Sequence, residues 1–308
     1  MLHGRIRFYV KLYVLKCASY LLSWIPGYYS SKDPENFKYR IAVTAIIKNE
    51  GRYLREWIDY HLLVGIEHFY LYNNESTDNT EEVLRTYIDS GIVNLRYFPG
   101  QVKQLAAYHD ALRRYRNECK YMAFIDGDEF IRPIDKNRSV YDIVDNIISS
   151  ANDKNVVGVM MPWRRFGSSG YIDKPKGGGV LDNYLYREND KEKYTWSSKL
   201  ILNPRRIIFF MSPHTVNVIR RDHILNEQGM EPGTPSGNPK NICIHHYYTK
   251  SKKEWIERRS LGKADIAHID KTAFRSIEEF YLGDHNDVYD DSMLYYAERL
   301  TLCTYGMK

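Results

Sequence analysis

The 308-residue chain has only four cysteines, Cys17, Cys119, Cys243 and Cys303, and no two of them form a C-x-x-C pair. Zinc ribbons, c-type haem attachment and dense disulfide scaffolds are thereby excluded, and a reducing compartment is the simplest reading. A long apolar run is also missing. Lys11 and Lys16 interrupt the aromatic start of the chain, and its longest uncharged stretch, residues 17–31, contains Pro26 and Gly27. A membrane-spanning helix needs about 20 mostly apolar residues, so none is expected. No small-x-small cleavage site follows Ile25 to mark a signal peptide. Charge of one sign is scarce as well: 44 Lys and Arg against 39 Asp and Glu leave a net charge of +5 and a pI near 8.8. That mild excess demands no nucleic-acid partner, and none is expected; an anionic small substrate suits it. Internal repeats and low-complexity segments are absent.

What is present is a globular composition, with 43% hydrophobic, 27% charged and 14% aromatic residues. Residues 1–38 form a basic, aromatic segment in which Tyr13, Tyr20 and Trp24 suit the interface of an anionic membrane, through residues 1–30; a helix packed on the domain is the alternative. From Arg40 onward strands and helices alternate. Residues 40–47, 68–72, 93–98 and 121–125 read as strands, and 53–63 and 104–115 as amphipathic helices. Asp78-x-x-Glu81 has the spacing of a capping box, opening a helix that stops at Gly91. This alternation predicts an α/β protein with right-handed crossovers and a mostly parallel, Rossmann-like sheet, which binds ligands at the carboxyl ends of its strands. Residues 156–161, 199–203 and 207–211 are further strands. A glycine-rich loop (167–179) and a second connection (226–239) divide them, and 252–302 reads as a mostly helical tail.

The sharpest chemical signal is Tyr121-Met122-Ala123-Phe124-Ile125-Asp126-Gly127-Asp128-Glu129-Phe130, an apolar strand delivering two carboxylates to its end. On an extended backbone residues i and i+2 point the same way, so Asp126 and Asp128 can face one hard cation. A plain surface turn explains the same tetrapeptide equally well. Its company raises the odds. Asn73-Asn74-Glu75-Ser76-Thr77-Asp78 follows a strand and precedes a helix, where amides and backbone N–H groups can hold a base or phosphate, besides capping the helix. His245-His246 follows a short apolar segment, and Lys250, Lys252, Lys253, Arg258, Arg259 and Lys263 lie downstream. A lone histidine is usually a satisfied polar residue, but one followed by such a run can supply a metal ligand while the cations neutralise a diphosphate.

Together these segments resemble glycosyltransferase family 92 and related family 2 enzymes. Val43-Thr44-Ala45-Ile46-Ile47-Lys48-Asn49-Glu50, Phe69-Tyr70-Leu71-Tyr72-Asn73-Asn74 and Phe124-Ile125-Asp126-Gly127-Asp128-Glu129 resemble the nucleotide-sugar half. Trp163-Arg164-Arg165-Phe166-Gly167, residues 199–204, His214 and His246-Tyr247-Tyr248-Thr249-Lys250-Ser251 follow in family order. The resemblance implies a GT-A fold over 39–264, followed by a helical extension over 265–308. It also implies a nucleotide-sugar donor, by family analogy a UDP-sugar, and Mn2+ or Mg2+ on the Asp-x-Asp motif. Carried over residue by residue, Asp128 is the best metal ligand, with Asp126 near ribose or metal. His246 is the late ligand and His214 its rival. Asn73 and Asn74 stand where family 2 members often have acidic residues that read base and sugar. Lys48, Glu50 and Gln104 are further donor-side residues, and Lys250 and Lys263 serve the diphosphate.

An inverting displacement by an acceptor hydroxyl is expected, with Asp182, Asp173 or Glu129 as base. Trp163, Phe166 and Trp196 are expected as an acceptor platform or as core. The acceptor is then a glycan or glycolipid in cell-surface polysaccharide synthesis, with galactose as a family-level lean for the donor. With no clear anchor, the expected place is cytoplasmic, peripheral on the inner face of a cell membrane, rather than that of a Golgi-type enzyme. Two rivals remain. A haloacid-dehalogenase-like phosphatase also uses Asp-x-Asp, but on its first strand. A non-catalytic carbohydrate-binding protein at a membrane surface would bind sugar without a metal.

Overall fold

In the computed structural model the described residues are 33–190, 198–219, 221–232, 238–259 and 274–306, with Val14 and Cys17. The expected membrane-surface segment, apart from those two residues, lies outside them, as do Trp196 and Lys263.

The first half alternates as the sequence predicts: β1 (Tyr39–Ile47), α1 (Gly51–Leu63), β2 (His68–Asn73), α2 (Thr80–Asp89), β3 (Val93–Tyr97), α3 (Gln104–Tyr115) and β4 (Cys119–Phe124). β1 pairs in parallel with β2 and β4, and β2 with β3. From Ile41 to Ile47 β1 is buried, because both faces of the sheet are covered. Ile41, Val43, Ala45 and Ile47 pack with Trp57 and Leu84 on one side, and Ala42 and Ile46 with Tyr108 and Leu112 on the other. Each such aliphatic side chain, fully buried, contributes ~1.5–3 kcal/mol, so register is strongly fixed.

Beyond β4 the sheet becomes mixed. β5 (Glu129–Pro133), α4 (Val140–Ser150), β6 (Val156–Arg165), α5 (Val180–Asn183), β7 (Tyr186–Arg187), β8 (Ser198–Leu202), β9 (Ile207–Ser212), β10 (Thr215–Val218), β11 (His223–Asn226) and β12 (Ile242–His246) follow. β8 runs antiparallel to β4 and β6, β6 parallel to β11 and β12, and β12 antiparallel to β5. Among the described residues the order is β3-β2-β1-β4-β8-β6-β12-β5, with β11 beside β6. Within this sheet parallel pairings outnumber antiparallel ones, and helices flank it, which is the expected α/β architecture. The tail holds α6 (Lys252–Arg259), α7 (Ile277–Gly283) and α8 (Leu294–Gly306), interrupted by β13 (Val288–Tyr289), which pairs with β7. Met293, Tyr296 and Ala297 lie in the same apolar cluster as α1.

Among the described residues β5 pairs only with β12, and α1 closes its open edge. Trp57 Nε1 donates to the Glu129 carbonyl (2.7 Å), Tyr60 Oη to the Ile131 carbonyl (2.8 Å), and the Ile131 N–H donates to His61 Nε2 (3.1 Å). A buried edge without such partners would carry orphaned backbone groups. Because Nε2 accepts, His61 carries its proton on Nδ1, which reaches the Trp57 carbonyl (2.7 Å). Burial pushes its pKa down to about 3.

One local expectation gives way. Asp78 does not form a capping box with Glu81: its Oδ1 accepts from the Thr80 N–H (3.0 Å) and its Oδ2 from the N–H of Gly51 (2.9 Å) at the start of α1. Glu81 instead accepts from Asn73 Nδ2 (2.7 Å). The cause is the close approach of the two β–α loops. A Cβ at position 51 would lie 2.3 Å from Asn79 Oδ1, so only glycine fits there. Among the described residues no helix is long and apolar enough to cross a membrane, and Cys119 and Cys243 are buried free thiols.

Candidate active site

The segment after β4 is a turn and not an extended ribbon: the Glu129 N–H donates to the Asp126 carbonyl (3.1 Å). The i, i+2 geometry expected for Asp126 and Asp128 therefore does not apply, and the two carboxylates serve different partners. Asp128 is buried. Its Oδ2 accepts from Arg258 Nη2 (2.9 Å), and its Oδ1 lies 3.5 Å from His246 Nε2. Burial alone would raise the Asp128 pKa, but Arg258 and His246 outweigh it and hold the group well below the usual carboxylate range.

Asp126 is one-third exposed and faces the other way. Gln104 Nε2 donates to its Oδ1 (2.7 Å) and Lys199 Nζ to its Oδ2 (2.9 Å). Lys199, from β8, is fully buried and also stands 3.6 Å from Glu129 Oε2. Burial lowers its pKa, yet Asp126 and Glu129 more than reverse this and keep it charged. Glu129 is itself fully buried, and burial pushes its pKa up to about 7 despite Lys199.

Around Asp128 the loop ends converge. Glu50, after β1, packs over Gly127, with its Oε2 3.6 Å from Lys250 Nζ and its Oε1 4.0 Å from Arg258. Lys250 is held with φ +53° in the left-handed region, its ammonium 4.7 Å from the Tyr53 ring centroid. Arg275 senses Arg258, Asp128 and Glu50, and burial first and then Arg258 lower its pKa. Three cations thus surround two carboxylates, leaving a positive excess suited to an anion.

The remaining predicted residues are placed as follows. The His214 ring is 5.1 Å from that of Trp163, which in turn is 4.4 Å from that of His246, so Trp163 lies against both histidines. His214 Nδ1 reaches the Ser198 carbonyl (2.8 Å), whereas His246 has the Asp128 contact. Asn73 Oδ1 accepts from the Ser76 N–H (2.9 Å), and Asn74 Nδ2 spans the Phe98 and Gly100 carbonyls (2.8 Å each), so both amides shape their own loop. Lys48 is half-buried just past the carboxyl end of β1. Asp173 is 81% exposed near Lys253, and Asp182 accepts from the Gly179 N–H (3.0 Å); neither shares a hydrogen bond or ion pair with the Asp126–Asp128 group among the described residues. Phe166 is buried against His245 and Tyr247, in the core and not on an exposed platform. The glycine-rich loop is anchored where α5 begins: half-buried Glu56 accepts from the Val180 and Leu181 N–H groups (2.6 and 3.2 Å).

Lys199 was the residue least visible as a site member, although a lysine within Ser198-Lys199-Leu200-Ile201-Leu202 is a signal, since buried lysines need partners. A cleft of about 670 Å³ near Lys120, Asn155 and Arg206 lies at the amino ends of β4 and β6. Ligands of such sheets bind at the opposite, carboxyl ends, where the acidic turn stands.

A buried carboxylate and imidazole under a cationic rim at those ends define an α/β protein built to bind an anion. The chain belongs to glycosyltransferase family 92, whose family model matches residues 45–282. It is 32% identical over 196 residues to a family 92 protein of Oryza sativa subsp. japonica, covering 63% of this chain and 31% of that one. It is 28% identical over 205 residues to one from Ricinus communis, covering 65% and 35%. It is 24% identical over 243 residues to the beta-1,4-galactosyltransferase galt-1 of Caenorhabditis elegans, covering 75% and 52%. The chain therefore spans about a third of the plant relatives' length and about half of the nematode one's. The crystal structure of S. aureus TarS superposes with a TM-score of 0.38 at 13% identity, over 75% of this chain and 41% of that one, too remote to bear on its ligands.

Proposed function

We propose that this chain transfers a sugar from a UDP-sugar to a hydroxyl of a glycan or glycolipid, with a divalent ion held by Asp128 and His246. The carrying observation is the 3.5 Å approach of His246 Nε2 to Asp128 Oδ1 beneath Lys250, Arg258 and Arg275. Metal bonds of about 2.1 Å place adjacent ligands about 3 Å apart, near that spacing. One carboxylate oxygen and one imidazole nitrogen suit Mn2+, and Mg2+ less well. No group of three or more His, Cys, Asp or Glu side chains placed to hold one ion occurs among the described residues, so diphosphate oxygens and water would complete the shell, as is usual for phosphate-binding ions.

When bound, such an ion supplies Lewis-acid stabilisation of the leaving diphosphate. The chain's own groups do the rest. Lys250 and Arg258 meet negative charge where it grows. Asp126, fixed by Gln104 and Lys199, offers its exposed edge to a ribose hydroxyl. The name of galt-1 supports a galactosyl donor and a β linkage, and a β product from an α-linked nucleotide sugar requires inversion. The acceptor proton then needs a base. Glu129 is sealed from an acceptor by burial, which leaves Asp173 and Asp182 beside the glycine-rich loop. Residues 1–30 would hold the enzyme at the inner face of an anionic membrane; their removal is expected to reduce vesicle binding while transfer to a soluble acceptor persists.

Calorimetric titration of UDP with Mn2+, and again with EDTA, tests the site in the wild type and in Asp128→Ala. Binding that needs both Mn2+ and Asp128 supports the reading. Binding indifferent to both rejects the ion site, and no UDP binding under either condition favours a different nucleotide or a non-catalytic carbohydrate-binding protein.

A further inference from the structure

Glu129 and His246 stand opposite each other in the antiparallel pairing of β5 with β12. Directly opposed residues send their side chains to the same face of a sheet. Both side chains are buried, with relative exposures of 0% and 5%. One oxygen of Glu129 is occupied, since Oε2 accepts from the Asp126 N–H at 2.9 Å. Its other oxygen, Oε1, and His246 Nδ1 are both cut off from water without a hydrogen-bond partner among the described residues, and they lie 3.9 Å apart. Leaving either alone costs about 1–3 kcal/mol, more for a charged group. A complementary donor and acceptor this close need only reach about 2.9 Å to satisfy each other. The imidazole plane is confined by the Trp163 ring at 4.4 Å and the Tyr248 ring at 5.4 Å.

We infer that Glu129 is a positioning residue that accepts a hydrogen bond from the Nδ1–H of His246 and so presents the Nε2 lone pair to a divalent cation beside Asp128. The inference rests on the ion site proposed above and assigns Glu129 a task other than that of acceptor base. A carboxylate on the far nitrogen fixes the tautomer of a ligating imidazole and raises its basicity, and its loss typically weakens metal affinity 10–100-fold. The Asp126 N–H occupies the other oxygen and Lys199 lies 3.6 Å from it, so Oε1, 3.9 Å from the ring nitrogen, is the oxygen left without a partner.

Two measurements on the full chain test this. Nitrogen-15 spectra of histidine-labelled wild type loaded with diamagnetic Mg2+, with His246 assigned by His246→Gln, are expected to show a proton on Nδ1 and none on Nε2. Mn2+ affinity, read by electron paramagnetic resonance, is then compared in a double-mutant cycle. Glu129→Gln is expected to weaken Mn2+ binding 10–100-fold beside His246 and to add nothing in the His246→Ala background. An Nε2–H tautomer in the wild type, or an equal loss in both backgrounds, overturns the positioning role while the ion site stands. Wild-type Mn2+ binding that survives Asp128→Ala unchanged overturns the ion site and this inference with it.

Discussion

Arg258 Nη2 donates to Asp128 Oδ2 at 2.9 Å across 130 residues of sequence, so the carboxylate proposed for a cation is already paired with one. Arg258 comes from α6 and also approaches Glu50 at 4.0 Å. A divalent ion and the guanidinium therefore compete for one carboxylate, and the diphosphate brought by the ion gives the guanidinium a new partner.

Arg258→Gln is accordingly expected to act with opposite signs on two ligands. Mn2+ alone should bind at least as tightly as in the wild type, whereas UDP in the presence of Mn2+ should bind about tenfold more weakly, the worth of one charge-assisted hydrogen bond. Parallel calorimetric titrations read both. A loss of affinity for both ligands would show Arg258 to be scaffolding.

Trp57→Phe keeps an aromatic ring in the core but removes the N–H that satisfies the Glu129 carbonyl. Leaving that buried acceptor unpaired should cost about 1–3 kcal/mol in urea unfolding. An unchanged midpoint would mean that α1 does not hold the edge of β5 through this bond.

His61 supplies a pH dependence. Its pKa is near 3 in the folded chain, against an ordinary value of 6.5, because burial disfavours the charged ring. Above pH 6.5 both states are neutral and the contribution is complete. As pH falls towards 3 the unfolded chain takes up a proton that the folded chain refuses, so stability declines by roughly 1 kcal/mol per pH unit from this group. His61→Gln should flatten the slope of unfolding free energy against pH in that window by about one proton. An unaltered slope would show that His61 titrates normally.

Lys199→Met leaves Asp126 and Glu129 without their shared cation. Removing one partner of a buried pair typically costs about 3–5 kcal/mol. Glu129, already raised to about 7 by burial, should rise further in the variant. A group whose folded pKa lies above its unfolded value loses its contribution as pH rises, so the deficit should be larger at pH 8 than at pH 6. Thermal unfolding at both values checks the sign.

The sequence by itself determined the alternating first half, because short apolar runs can be buried on both faces only inside a sheet that period-3.6 amphipathic helices cover. It also determined that Asp128 follows an apolar strand and that His246 closes one, and hence the end of the sheet at which they lie. Local pattern could not show where a side chain finds its partner. Asp78 has the spacing to cap its own helix, yet it also serves Gly51, because two loops abut at a position that has room only for glycine. Asp126 and Asp128 read as one pair, yet a turn sends the first to Lys199 and Gln104 and the second to His246 and Arg258. Those partners come from β8, α3, β12 and α6, and only closure of the sheet brings them together. Short strands such as β5, β7 and β13 escaped sequence reading for the same reason, since their edges are satisfied by distant chain and not by their own residues. The side chains carry the chemistry, and the tertiary fold decided which carboxylate each cation meets, because burial and pairing depend on neighbours in space.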